Sequence, residues 1–223
     1  MIHTVYKKKI LDKVHQEPPH HRSSFTGIPI QDGVPNLASI AERCVPNPGD
    51  RGRVIVFIDG SNLFYAASDL EVEIDYIKLL DYLVDNARLV HVLFYTGNDP
   101  ENEKQCKFLK WMSRNGFRVI AKALTQAPND VKKANLDVEI AVDMMTLAGY
   151  CDTAVLVSGD GDFAYVVDAI AKQGVRVEVV SLRSMTSSAL IDVADCYVDL
   201  ADIQQTVKKI DGDIGSSVVT TEE

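Results

Sequence analysis

From Arg53 onward the apolar residues fall into short β-branched runs separated by stretches of helical spacing. Val54–Ile58, Leu89–Tyr95, Arg118–Ala121, Thr153–Val157 and Val175–Val180 read as five strands. Several are continuously apolar, as strands covered on both faces are. Between them the 3.6-residue period predicts helices near Tyr76–Asn86, Glu101–Asn115, Leu136–Ala148 and Phe163–Lys172. Gly116 and Gly174 stand where helix C-caps are expected. A further helix near Ser188–Ala194, then Cys196–Leu200 and Ile203–Ile210, completes the core. Alternation of strand and helix predicts an α/β fold with a central, mostly parallel sheet flanked by helices on both faces.

The first 50 residues have a different texture, holding six of the eight prolines. Such density breaks regular structure, so residues 1–51 read as an extended, flexible arm with one short helix near Tyr6–His15. His15, His20 and His21 belong to that polar arm and are read as solvated rather than metal-binding. Residues 52–203 form the expected domain, and 204–223 an extension that is partly helical and then frayed.

Composition narrows the function. The chain of 223 residues has 23 Lys+Arg against 32 Asp+Glu, a net charge of −9. It therefore lacks the basic field of a protein that coats nucleic acid, although an enzyme that cuts nucleic acid can carry acids around metal ions. Cys44, Cys106, Cys151 and Cys196 form no CxxC pair, which argues against a zinc ribbon or a disulfide framework. No run approaches the roughly 18 apolar residues of a membrane span, and no apolar leader is seen, so a cytoplasmic protein is expected.

Ligands of open parallel sheets bind beyond the carboxyl ends of the strands. Two strands end there in acids: Ile58 runs into Asp59-Gly60-Ser61-Asn62, and Val157 into Ser158-Gly159-Asp160-Gly161-Asp162. The glycines are expected to let the backbone turn and approach a ligand. Asp137 opens the helix that follows Lys132-Lys133-Ala134-Asn135, with Asn135 as its expected cap and Ile140, Ala141, Met144, Met145 and Ala148 as its buried side. Asp143, six residues on, is turned about 600° and points away from Asp137. Gathered carboxylates raise one another's pKa unless a cation accompanies them, and Mg²⁺ or a similar hard ion is the simplest companion. Lys132 and Lys133 can meet a phosphate backbone, and Ser158 a phosphate or a metal-held water.

Competing chemistries fit less well. An aspartyl-nucleophile phosphatase wants a second Asp where Ser61 stands, and an integrin-type DxSxS site breaks off at Leu63. Gly159-Asp-Gly161-Asp puts acids where the pyrophosphate of a dinucleotide would approach. The chain has no GKS or GKT loop and no GxSxG elbow.

Together, Ile58-Asp59-Gly60-Ser61-Asn62-Leu63-Phe64, Lys133-x-x-x-Asp137-Val138 with Asp143, and Val157-Ser158-Gly159-Asp160-Gly161-Asp162-Phe163 resemble the motifs of the NYN domain, specifically its LabA-like branch, over about residues 52–203. Ser187-Ser188-x-Leu190 followed by Asp195 resembles the segment that closes that domain. The resemblance implies a PIN-like fold and a Mg²⁺- or Mn²⁺-dependent endoribonuclease acting on single-stranded RNA. It implies Asp59, Asp137, Asp160 and Asp162 as the catalytic, metal-binding set, with Asn62, Lys133, Ser158 and Asp143 binding substrate or supporting the site. The alternatives are a non-catalytic regulatory module binding RNA or protein, with the proline-rich arm recruiting a protein partner, and a phosphohydrolase of nucleotides. Phe64, Tyr65, Phe163 and Tyr165 can stack on bases but are read first as core or rim packing, and Trp111 as packing.

Overall fold

The computed structural model describes residues 51–126 and 132–210. The arm with its expected helix and histidines, and the tail beyond 210, lie outside the described residues. Among the described residues, eight strands and seven α-helices follow in order. They are β1 Arg53–Asp59, α1 Gly60–Asp69, α2 Tyr76–Val84, β2 Arg88–Asn98, α3 Glu103–Arg114, β3 Arg118–Ala123, β4 Thr125–Gln126 and β5 Lys132–Lys133. Then come α4 Asp137–Leu147, β6 Thr153–Val157, α5 Ala164–Ala171, β7 Arg176–Ser181, α6 Ser188–Val193, β8 Cys196–Asp199 and α7 Leu200–Val207.

Six strands form one sheet in the order β3-β2-β1-β6-β7-β8, every neighbouring pair parallel. The chain steps outward through β2 and β3, then returns to lay β6 on the other flank of β1. That reversal opens a crevice at the carboxyl ends of β1 and β6. The register aligns Ile58 with Val157, so Asp59 and Ser158 leave the sheet side by side.

Both faces of the sheet are covered, as the near-continuous apolar strands demand. Val54, Val56 and Ile58 point to one core with Val155 and Val157, roofed by Leu63 and Ala66 of α1, Leu79 and Leu83 of α2, Met112 of α3 and Ile203 of α7. Ile55 and Phe57 point to the other with Ala154 and Leu156, roofed by Ile140 and Met144 of α4, Val167 and Ile170 of α5 and Leu190 of α6. The arrangement is the PIN-like α/β fold. At the amino-terminal edge, buried Arg51 donates to Glu178 at 2.7 Å, and Arg176 binds the other oxygen at 2.8 Å. At the far end α7 continues past residue 203 to Val207, which is fully buried.

Two elements escape the hydrophobic pattern. Helix α1 begins inside a Gly-Ser-Asn sequence that looks like a turn, because the Asp59 side chain caps it. The antiparallel pair β4–β5 has only two residues per strand, too short to show a period, and it places Lys132 and Lys133 in a strand before the helix. The burial of α4 also differs in detail: Ile140, Met144 and Ala148 are buried, Ala141 is half-buried, and Met145 is 44% exposed. Gly116 and Gly174 do take positive φ after their helices, +90° and +89°. After α3 the Phe117 amide returns to the Met112 carbonyl at 3.1 Å, as in a Schellman end.

Candidate metal centre

Asp59 leaves β1 with extended dihedrals and turns its carboxylate back over the start of α1. Its Oδ1 accepts from the amides of Ser61 and Asn62, both at 3.1 Å, while Oδ2 accepts from the Ser158 hydroxyl at 3.0 Å. Ser158 is 1% exposed, so its hydroxyl is a fixed strut between the two loops. Asn62 has the side-chain chemistry of a helix cap, but Asp59 occupies that position. The Asn62 Oδ1 instead accepts from the Gly159 amide at 3.0 Å, a second strut across the crevice. Asp160 caps the short 3₁₀ turn Gly161–Phe163, its Oδ1 accepting from the Asp162 amide at 3.0 Å.

Neither Gly60, Gly159 nor Gly161 takes a positive φ, so the expected sharp-turn role is not what these glycines do. Close approach requires them. A Cβ on Gly60 would lie 2.7 Å from the Tyr95 carbonyl oxygen, and one on Gly161 2.7 Å from the Ser187 hydroxyl. On Gly159 it would lie 2.5 Å from the Ser181 hydroxyl and 2.7 Å from the Met185 carbonyl oxygen. The backbone approaches neighbouring chain, and the carboxylates are carried forward from that tight base.

Asp137 arrives from the opposite side as the first residue of α4. The N-cap is Leu136, which offers no side-chain bond, rather than Asn135. Asn135 acts one residue earlier: its Oδ1 accepts from the Asp137 amide at 2.9 Å, and its Nδ2 donates to Asp137 Oδ2 at 2.6 Å. One carboxylate oxygen each of Asp137, Asp160 and Asp162 then lie within 4.8 Å of one another. Asp59 stands beside this trio, outside that radius. None of the ion pairs among the described residues involves any of the four.

The electrostatics follow from this crowding. Burial is the main cause lifting the Asp59 carboxyl above its ordinary range, against the pull of its amide and hydroxyl donors, with Asp137 adding to the lift. Burial likewise lifts Asp137, opposed by Asn135 and reinforced by the negative charges of Asp160, Asp162 and Glu139. Oxygens around one Mg²⁺-sized ion at about 2.1 Å are at most about 4.2 Å apart, so the trio, gathered within 4.8 Å, has the donor chemistry for a hard divalent cation and needs only a small inward shift of its side chains to close on one.

Asp143 is not part of the group. Its Oδ2 accepts from the hydroxyl of Tyr95 at 2.8 Å, and burial together with Asp143 pushes the Tyr95 phenol well above its usual range. Tyr95 pairs with Asp59 across β1–β2, so Asp143 ties α4 to the sheet beside the site. Sequence reading missed Tyr95, the last residue of the expected strand Leu89–Tyr95, which in the structure continues to Asn98. It also missed Lys122, whose Nζ donates to Asn135 O and Glu139 Oε1. The side chain of Lys133 lies outside the described residues. Phe163 is core, 1% exposed, whereas Phe64, Tyr65 and Tyr165 are 65%, 63% and 84% exposed.

The NYN domain family model matches residues 53–201. "Low amplitude and bright protein LabA" of Synechococcus elongatus is 32% identical over 166 residues, covering 70% of this chain and 88% of that protein. The crystal structure of a protein of unknown function from Vibrio parahaemolyticus superposes with a TM-score of 0.63 at 25% identity, covering 74% of this chain and 100% of that one.

Proposed function

The chain belongs to the NYN domain family and is LabA-like, and on that premise we propose that it is a metal-dependent endoribonuclease acting on single-stranded RNA. The observation that carries this reading is the trio Asp137, Asp160 and Asp162, drawn within 4.8 Å at the switch point of the sheet with no cationic side chain among the described residues paired to it. Three carboxylates so placed repel one another, and a bound divalent cation offsets that repulsion. Mg²⁺ or Mn²⁺ held there supplies Lewis-acid polarisation for attack of water on a phosphodiester.

Each residue then has a defined part. Asp137, Asp160 and Asp162 present the ligand oxygens, and the start of α4 and the 3₁₀ turn after Asp160 fix their spacing. Asp59 is the fourth wall of the site and catalytic partner, with two amides and Ser158 orienting its carboxylate. Ser158 and Asn62 lock the β1 and β6 loops together, and Asp143 acts through Tyr95 on the seating of α4. Lys133 is the proposed contact to the RNA backbone, whose binding is then salt-dependent.

Labelled single-stranded RNA incubated with and without Mn²⁺ tests the reading. Cleavage by the wild-type protein, lost in Asp160→Asn and Asp137→Asn, is the expected result. RNA binding without metal-dependent cleavage would replace the enzyme with a non-catalytic regulatory module. Phosphate release from mononucleotides without RNA cleavage would replace it with a nucleotide phosphohydrolase.

A further inference from the structure

We propose that Lys122 is a positioning residue that holds Asp137 in the metal centre, an assignment that rests on the metal-centre reading above. Lys122 lies in β3, the edge strand of the sheet, where a lysine ordinarily points to solvent and discourages pairing with another chain. Here its ammonium reaches across to the start of α4. It donates to the Asn135 carbonyl oxygen at 3.1 Å and to Glu139 Oε1 at 2.7 Å, two acceptors that bracket Asp137 by two residues on either side.

Buried Leu136 anchors the segment so held to the core, and its polar restraints among the described residues are few. It enters α4 from β5, a strand of two residues paired only with β4, and the N-cap Leu136 contributes no side-chain bond. Asn135 is the one side chain that binds Asp137 directly among the described residues, through both the amide and Oδ2. Lys122 fixes the backbone from which Asn135 works. Glu139 supports the same assignment: its Oε1 accepts from the Lys122 ammonium, while its Oε2 is buried with no hydrogen-bond partner among the described residues. The Glu139 charge also pushes on Asp137, and the ammonium offsets it. Removing Lys122 therefore loosens the start of α4 and leaves an uncompensated carboxylate next to the trio.

Mn²⁺ titration of the full-length protein, followed by electron paramagnetic resonance of the free ion, tests the proposal. Residues that orient metal ligands typically change metal affinity by about 10- to 100-fold when removed. Lys122→Ala is expected to weaken Mn²⁺ binding by about that factor, and Lys122→Arg, which keeps a donor of similar reach, to restore it to within about threefold. The ion pair is half-exposed, so the thermal midpoint of either variant should stay within about 3 °C of wild type. Should Lys122→Ala fail to fold, Lys122→Met keeps the aliphatic stem and carries the same expectation. A variant lacking the ammonium that binds Mn²⁺ within twofold of wild type overturns the role of Lys122 and leaves the metal centre standing. A wild-type protein that binds no Mn²⁺ overturns the metal centre, and this assignment with it.

Discussion

Replacing Gly159 by alanine probes whether the site depends on close packing beneath its loop. The added methyl would sit 2.5 Å from Ser181 Oγ, 2.7 Å from the Met185 carbonyl oxygen and 3.1 Å from Thr186 Cα. Two of these neighbours are backbone atoms and cannot rotate away. The third is restrained as well, because Ser181 is 3% exposed and accepts a 2.9 Å bond from the Thr186 hydroxyl. Non-bonded carbon and oxygen atoms prefer roughly 3.3 Å or more, so the loop must move by about half an ångström or more. Overpacking of this kind costs about 1–3 kcal/mol, and for a folded domain of this size each kcal/mol lowers the thermal midpoint by about 2–4 °C. The expected loss is therefore about 2–12 °C. Ser158 and Asp160 flank the substituted residue, so Mn²⁺ affinity should fall with stability. Gly149 is the matched control: a Cβ there meets nothing within 4 Å, and its φ is not positive. Gly149→Ala should leave both quantities within error or slightly raise stability, since alanine restricts the unfolded chain. Differential scanning calorimetry and Mn²⁺ titration of both variants decide the matter. A Gly159→Ala protein with wild-type midpoint and affinity would refute the packing argument.

The raised carboxyls of Asp59 and Asp137 fix the sign of a pH effect. A folded state that holds its protons to higher pH than the unfolded chain loses stability as pH rises from about 4 through the raised range. Mn²⁺ opposes that loss, so the increase in thermal midpoint on adding Mn²⁺ should grow with pH, reaching about 2.7 kcal/mol of stabilisation when the ion is at 100 times its Kd. A pH-independent Mn²⁺ shift between pH 4.5 and 7.5, pH values chosen to bracket roughly that range, would contradict this. For the Tyr95–Asp143 bond, Tyr95→Phe is expected to cost about 1 kcal/mol in chemical denaturation, because water can reach half-buried Asp143. Asp143→Asn should change Mn²⁺ affinity by less than about threefold; a loss as large as that of Asp160→Asn would make Asp143 a ligand.

The strands were legible because parallel strands covered on both faces must be almost wholly apolar, and Val54–Ile58 and Ala154–Val157 are. The acids at their ends were legible for the same reason: a buried strand that stops abruptly at Asp59 or at Ser158-Gly-Asp160 exposes polar groups only at the edge. What sequence reading could not supply was the third dimension of side chains. Asn62 looks like a helix cap by type and position, yet Asp59 takes the cap and frees Asn62 to hold the facing loop at Gly159. The motif glycines looked like turn-makers, and only the positions of Ser181, Met185, Ser187 and Tyr95 show that they are spacers. Lys122 belongs to no motif, and its partners lie 13 and 17 residues away across a hairpin too short to be seen in a periodicity.

The acidity of the chain takes a different meaning once the acids are located. Residues 51–203 carry 23 Asp+Glu against 15 Lys+Arg, and five of those acids belong to the matched motifs. Others are neutralised where they stand: Glu178 by Arg51 and Arg176, Asp152 by Arg53, Asp168 by Lys172, Glu139 by Lys122. The carboxylates of the trio and Asp59 have no such partner among the described residues. An RNA phosphate approaching the bare site meets uncompensated negative charge at short range, where screening by salt is weakest. A divalent cation bound first offsets part of that charge and offers the phosphate oxygen a direct partner, while the net charge of the molecule stays negative. Under the proposed function, RNA engagement at this site is expected to depend on metal occupancy rather than on a basic surface.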